Sequence, residues 1–340
     1  MKIEDVLSLV RPHLLSLQPY SSARDEFDQS VIGKQQYVYL DANENPFDTD
    51  YNRYPDPHQR ELKKLISGIK GVSQDQIFLG NGSDEAIDLI IRLFCSEGDD
   101  VVIPSPTYGM YEVSAKINNI RVKKVLLSET FELTDVDTNG KIIFLCSPNN
   151  PSGNLMDVEP ILKKFNGIVV VDEAYIDFTA KPGFIKKIDE YPNLVVLQTF
   201  SKAWGLAGLR LGMAFARPEI ISLLDKIKPP YNISSATQQV ALEQLRNQKQ
   251  KDEWVKLILC ERDRVAKVLC KLKSVKKVFD SEANFLLVRI DDARNVYNKL
   301  IVDRIVVRDR SNVKLCEDCL RITIGTYEEN ERLLEALRNS

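Results

Sequence analysis

Apolar and polar positions along the chain follow two rhythms, one of helical period and one of short unbroken apolar runs. Residues 4–17 place apolar side chains at helical spacing within a charged stretch and predict an amphipathic helix, which QPYSSAR then interrupts. Residues 38–40 read as a short strand, followed by the polar turn DANENPFD and by NRYPDP, a proline-punctuated loop that leads into a helix. Short runs, apolar apart from Gln76 and Asp100 at the start of the first two, then recur at 76–79, 100–103, 142–146, 168–171, 194–197 and 211–216. Runs of four to six apolar residues without alternation suit strands covered on both faces. Helical patterns lie among them, as at Ile87, Ile90, Ile91 and Phe94, and across 218–227. Strand and helix in alternation predict an α/β architecture with a mainly parallel sheet flanked by helices.

KPPYNIS is a proline-stiffened hinge, and the pattern changes after it. Residues 236–272 are mostly helical with a polar break at 247–252, strands are expected at 275–279, 284–290, 305–308 and 320–325, and helices at 293–302 and 327–338. The expected division is an amino-terminal helix and arm over 1–35, a large domain over 36–232 and a smaller α+β domain over 233–340. No repeat or low-complexity segment interrupts it.

Composition narrows the chemistry by exclusion. The 340 residues carry 44% hydrophobic and 28% charged side chains, the balance of an ordinary globular chain long enough for two domains. A net charge of −3 gives no compositional case for nucleic acid or a membrane surface as partner. No apolar run reaches the roughly 18 residues of a membrane span, and MKIEDVLSLVRPHLL lacks a cleavage site, so a cytoplasmic protein is expected. Six cysteines in a chain of this length read as reduced thiols. Cys316 and Cys319 form a lone CxxC without the further ligands that zinc needs, so no metal site is expected. The two histidines, His13 and His58, argue against a catalytic imidazole.

The candidate chemistry gathers at strand ends. In VVLQTFSKAWGLAGLRLG the apolar run 194–197 delivers Thr199, Ser201 and Lys202 to the carboxyl edge of the sheet, where open α/β sheets hold ligands. A lysine at the mouth of a dry pocket loses hydration, drops its pKa and attacks carbonyls as a free amine. Two hydroxyls before it and Arg210 after it suit a phosphate beside that amine. GNGSDE turns a strand tightly into a helix, so that N–H groups of Gly82, Ser83 and Asp84 either hold a phosphate or belong to a helix cap. The spacing is that of neither a dinucleotide fingerprint nor a Walker loop. Tyr108 opens another helix, SPNNPSG exposes Asn149 and Asn150, and Asp172 ends a strand just before Tyr175. A carboxylate at that depth needs a cationic or N–H partner unless it caps a helix. Tyr54, between charges and prolines, is either a half-exposed loop aromatic or a contact for something not yet placed. A lysine for a Schiff base, an acid for a ring nitrogen, amide and hydroxyl donors, an aromatic face and a phosphate cradle together describe a site for pyridoxal phosphate.

Through DANENPF, NRYPDP, GNGSDE, PTYGMY, SPNNPSG, VVDEAY, TFSKAWGLAGLRLG and LRITIG, in that order over nearly the whole length, the chain resembles the fold-type I aminotransferases of pyridoxal 5'-phosphate. Within that family the pattern is most similar to the branch acting on histidinol phosphate. The resemblance implies a seven-stranded, mainly parallel sheet in the large domain. It implies that Lys202 carries the cofactor and moves a proton, that Asp172 pairs with the ring nitrogen, and that Tyr175 and Asn149 bond the ring oxygen while Tyr108 stacks on the ring. Ser83, Asp84, Thr199, Ser201 and Arg210 are implied at the cofactor phosphate, with Tyr54 arriving from the other subunit of a homodimer. Arg308, Arg321, Tyr20 and Asn149 are implied as substrate contacts. The substrates implied are histidinol phosphate and 2-oxoglutarate or glutamate, with an aromatic amino-acid aminotransferase and a threonine-phosphate decarboxylase-like lyase as rivals. The connection over 120–141 is short for the family.

Overall fold

The computed structural model describes residues 1–19, 38–134 and 139–339. Seven strands form the larger sheet: β1 (Ile77–Asn81), β2 (Asp100–Ser105), β3 (Arg121–Leu126), β4 (Ile142–Cys146), β5 (Ile168–Asp172), β6 (Leu194–Thr199) and β7 (Leu211–Phe215), in the order β1-β7-β6-β5-β4-β2-β3. Only β7 runs against the rest, pairing antiparallel with both β1 and β6. Six strands therefore end on one edge, and β7 begins there.

The unbroken apolar runs are explained by what covers them. Val169, Val171, Val196 and Met213 enter one buried cluster, while Ile168, Val170, Val195, Leu197 and Ala214 enter another on the opposite face. A pleated strand sends successive side chains to opposite sides, so a sheet buried on both needs apolar residues at every position. Helices α1 (Ile3–Ser8) and α2 (Pro12–Leu15) precede the sheet. The helices that follow within this part of the chain are α3 (Arg60–Lys70), α4 (Gly82–Phe94), α5 (Met110–Ile117), α6 (Glu159–Lys164) and α7 (Pro218–Ile227).

Beyond residue 230, α8 (Ser235–Gln244) and α9 (Gln248–Leu269) lead to a second sheet. Its strands are β8 (Val275–Val278), β9 (Phe285–Ile290), β10 (Arg308–Asp309) and β11 (Cys319–Thr323), in the order β10-β11-β9-β8 and antiparallel throughout. With α10 (Ala293–Val302) and α11 (Tyr327–Arg338) it surrounds its own apolar cluster, which includes Leu286, Val288, Leu300, Ile322 and Leu334.

Four local expectations change. The helix expected over 4–17 is two short helices, because Pro12 lacks the N–H and crowds the carbonyl a turn earlier; it is tolerated at the start of α2. Residues 38–40 form no strand: no described strand pairs with them, and Val38 and Leu40 are 82% and 88% exposed. The run 305–308 shortens to β10, with Val306 exposed. The connection over 120–141 contains β3, whose RVKKVL hides its strand character behind charge. It is an edge strand parallel to β2, with Arg121 and Lys123 both reaching Asp100.

Candidate active site

A cavity of about 580 Å³ opens at the carboxyl edge of the large sheet and extends to the small one. Gly82, Ser83, Asp84, Tyr108, Asp172, Tyr175, Thr199, Ser201, Lys202 and Arg210 line it, and Arg308 and Arg321 reach it from the small sheet. Twelve of the fifteen residues expected at the site thus face one space. Asn149 and Tyr54 do not, and Tyr20 lies outside the described residues.

The cradle at one end is built by the pairing of β1 with β7. Gly80 faces Gly212 across the ladder, and a Cβ on Gly212 would stand 2.2 Å from the backbone nitrogen of Ser83. Only glycine permits that approach. The turn into α4 needs a left-handed residue, supplied by Gly82 at φ 72°, and Arg210 is left-handed as well at φ 51°. Gly82 N–H donates to the Arg210 carbonyl at 2.6 Å, so this N–H is committed to holding the two turns together. Those of Ser83 and Asp84 lie in the first helical turn, where intrahelical acceptors are lacking. The Arg210 guanidinium lies 3.4 Å from the Asp84 carboxylate, and Thr199 and Ser201 hydroxyls are 2.9 Å apart.

Asp172 sits deeper, at the end of β5, and is 2% exposed. Tyr111 Oη donates to its Oδ2 at 2.6 Å and Ala174 N–H to its Oδ1 at 3.0 Å. Burial raises its pKa, with those two hydrogen bonds pulling the other way. Tyr111 is itself fixed, stacked on Phe144 with ring centroids 4.8 Å apart and with Tyr108 at its edge. The Tyr108 hydroxyl is anchored in turn, donating to Asp84 Oδ1 at 3.0 Å. Nothing in the spacing of Tyr111 along the chain points to Asp172, 61 positions away.

Lys202 follows β6 and extends into the cavity, its Nζ 5.7 Å from the centre of the Tyr175 ring. The surrounding protein lowers its pKa, first by desolvation and then by the charge of Arg321. Tyr175 is buried, which raises the pKa of its phenol. Asn150 Nδ2 approaches the Tyr175 hydroxyl at 3.4 Å, and Asn150 Oδ1 accepts from Arg321 Nη1 at 2.5 Å.

That contact corrects the asparagine expectation. Asn149 points into the loop, its Nδ2 donating to the Pro106 carbonyl at 3.0 Å and to Ser152 at 2.8 Å while its Oδ1 accepts from Thr107 at 2.8 Å. All its polar capacity goes to holding the turn, and its neighbour Asn150 enters the cavity. Composition could not separate two adjacent asparagines, because the turn decides which one faces inward. Tyr54 stands away from the cavity, half exposed and stacked on Tyr231 at 4.5 Å. Among the described residues no group of histidine, cysteine or acidic side chains is arranged to hold a metal ion.

A lysine of lowered pKa opposite a buried acid, with a phosphate-sized cradle between strand ends, is the arrangement of a cofactor-dependent group-transfer enzyme. The chain belongs to the family of class I and II aminotransferases, whose model matches residues 37–337. It is 54% identical over 347 aligned positions to the histidinol-phosphate aminotransferase of Parabacteroides distasonis, covering 99% of each chain. Among solved structures, the histidinol-phosphate aminotransferase of Clostridium acetobutylicum superposes with a TM-score of 0.78 at 28% identity, over 85% of this chain and 91% of that one. The enzyme of the same name from Sinorhizobium meliloti, in complex with pyridoxal-5'-phosphate, gives 0.77 at 25% identity over 85% and 83%.

Proposed function

We propose that this chain transfers an amino group between L-histidinol phosphate and 2-oxoglutarate, yielding imidazole-acetol phosphate and L-glutamate, with pyridoxal 5'-phosphate held at Lys202. The observation that carries the reading is one cavity with Lys202 and buried Asp172 at one end and arginines at the other, in a chain more than half identical to a histidinol-phosphate aminotransferase.

The residues fit the cofactor. Asp172 is a buried carboxylate with two neutral donors and no ion pair among the described residues, so a cationic ring nitrogen answers its unmet charge. Ser83 and Asp84 N–H groups, the Thr199 and Ser201 hydroxyls and Arg210 form an anion cradle beside it. Bound there, pyridoxal phosphate supplies a carbonyl carbon for the substrate amine and a ring that withdraws electrons from Cα.

The protein's own part follows from its geometry. Lys202 Nζ would hold the cofactor covalently and, as a free amine, would move the proton at substrate Cα, a role that its lowered pKa favours. Asp172, oriented by Tyr111, keeps the ring nitrogen protonated. Tyr175 and Asn150 would supply hydrogen bonds to the ring oxygen, and Tyr108 an aromatic surface for the ring. Arg321 and Arg308 receive the anionic group of either substrate, and Asn150 fixes the Arg321 fork. Tyr54, outside its own chain's cavity, reaches the cofactor phosphate of the neighbouring subunit in a homodimer. Two separate sheets, one on each side of residue 230, support a division into a large domain over 36–232 and a smaller one over 233–340. No described helix is long and apolar enough to cross a membrane, in keeping with a cytoplasmic enzyme.

A half-reaction assay tests the reading. Histidinol phosphate is expected to convert the bound cofactor to its amine form, seen as a shift in its absorbance band, faster than phenylalanine, tyrosine or threonine phosphate. Preference for the aromatic amino acids, or release of carbon dioxide from threonine phosphate, replaces the reading with an aromatic aminotransferase or a decarboxylase.

A further inference from the structure

The arginine end of the cavity holds three guanidinium groups. Arg308 and Arg321 are partners in the ladder of β10 and β11, and Arg310 lines the same cavity two residues further on. Arg310 N–H donates to the Cys319 carbonyl at 2.9 Å, extending the ladder, so strand alternation sends Arg308 and Arg310 to one side and Asp309 to the other. Asp309 is fully engaged there, accepting from Arg294 at 2.6 Å and from Ser311 N–H at 2.8 Å. The acid within the Arg-Asp-Arg run therefore neutralises neither neighbour. No ion pair to Arg308, Arg310 or Arg321 is formed among the described residues, and Nε of both Arg310 and Arg321 is buried without a hydrogen-bond acceptor. Burial and mutual repulsion lower the pKa of Arg310 and of Arg321. Three cations kept together without a protein anion favour a ligand of high negative charge.

We propose that Arg310 is a specificity-determining residue which, with Arg308, binds the phosphate of the amino donor and favours a phosphate ester over a carboxylate. This rests on the substrate reading above. A carboxylate is satisfied by a single fork, which Arg321 presents with its orientation fixed by Asn150. A phosphate ester offers three terminal oxygens and close to two negative charges near neutral pH. It accepts from more than one guanidinium and offsets the repulsion that a third one creates, whereas a single carboxylate offsets about half as much.

The test uses the holoenzyme with Arg310→Gln and Arg310→Lys. Affinity for histidinol phosphate is read from the cofactor absorbance, inorganic phosphate is titrated as a competitor, and the glutamate half-reaction is measured alongside. Arg310→Gln is expected to weaken histidinol phosphate and inorganic phosphate by roughly 10- to 100-fold, the size of one lost charge-assisted contact. The loss for glutamate is expected to be about tenfold smaller. Arg310→Lys keeps the charge without the fork and falls between; should the glutamine variant not fold, the lysine variant carries the same comparison. Equal losses for phosphate and glutamate, or no loss for either, overturn the proposal. If the wild type exchanges with glutamate but not with histidinol phosphate, the substrate reading fails, while competition by inorganic phosphate still decides the role of Arg310.

Discussion

The two ends of the cavity are built on opposite terms. At the Asp172 end the groups around the carboxylate and the cradle are tied to one another: Asp172 by Tyr111 and Ala174, Tyr108 by Asp84, and Arg210 by the Gly82 N–H on its carbonyl. These anchors rest on a sheet buried on both faces, and β7 at Gly212 has no room for even a methyl group. At the other end, three arginines hang on the short β10–β11 pairing, two of them with buried Nε atoms that have no acceptor among the described residues. The first end is complete without substrate, as suits a cofactor that stays. The second is complete only with an anion, as suits two substrates that take turns. Preorganisation and adaptability are thus assigned to different sheets.

Substitutions should divide along the same line. Lys202→Ala removes the group that both half-reactions share, and turnover is expected to fall by at least about 10⁴-fold for every substrate. Borohydride should then no longer fix the cofactor to a protein that is still folded; substantial residual activity breaks the assignment. Asp172→Asn takes away the anion opposite the ring nitrogen, for a loss of roughly 10²–10³-fold expected to be equal in the histidinol phosphate and glutamate half-reactions. Unequal losses there erase the distinction between the ends. Arg321→Lys should do the reverse. It is expected to raise KM by roughly tenfold or more as the fork is lost, to a different extent for each substrate, with kcat changing less.

The same division governed what could be read from the chain. Part of the anchored end is written in local pattern: apolar runs lead to Asp172 and Thr199, and glycines stand where the turns need them, so these positions stand out along the chain. Pro218–Ile227, Ala293–Val302 and Tyr327–Arg338 coincide with the expected helices to the residue, with proline, aspartate or threonine at the start. What escaped depends on distant partners. Tyr111 matters because of Asp172, and Asn150 differs from Asn149 only through the fold of its turn. Arg310 sits in a charged loop whose cavity is formed by another sheet. β3 escaped because an edge strand has no need of apolar residues on both faces.

The smallest expected effect tests how firmly the anchored end is held from behind. Glu173 follows Asp172 but points away from the cavity, 1% exposed, with Gln198 Nε2 donating to its Oε2 at 2.8 Å and Phe184 N–H to its Oε1 at 2.5 Å. Burial raises its pKa to about 7, against which those donors work. Between its ordinary value and 7 the folded chain therefore holds a proton that the unfolded chain has released, so this group's contribution to stability declines as pH rises through that window. Glu173→Gln should remove the decline, by no more than about 3 kcal/mol. The amide keeps an acceptor for Phe184 N–H, and Gln198, whose Oε1 is buried without a donor, can turn to accept from the new N–H₂. Urea midpoints at pH 5 and pH 8 give the readout. The variant is expected to lose less stability than the wild type over that interval, with both half-reactions nearly unchanged. An identical pH dependence would mean that Glu173 is ionised throughout, with its charge balanced from the protein side, and that the back of the anchored end is held by an ion rather than by neutral hydrogen bonds.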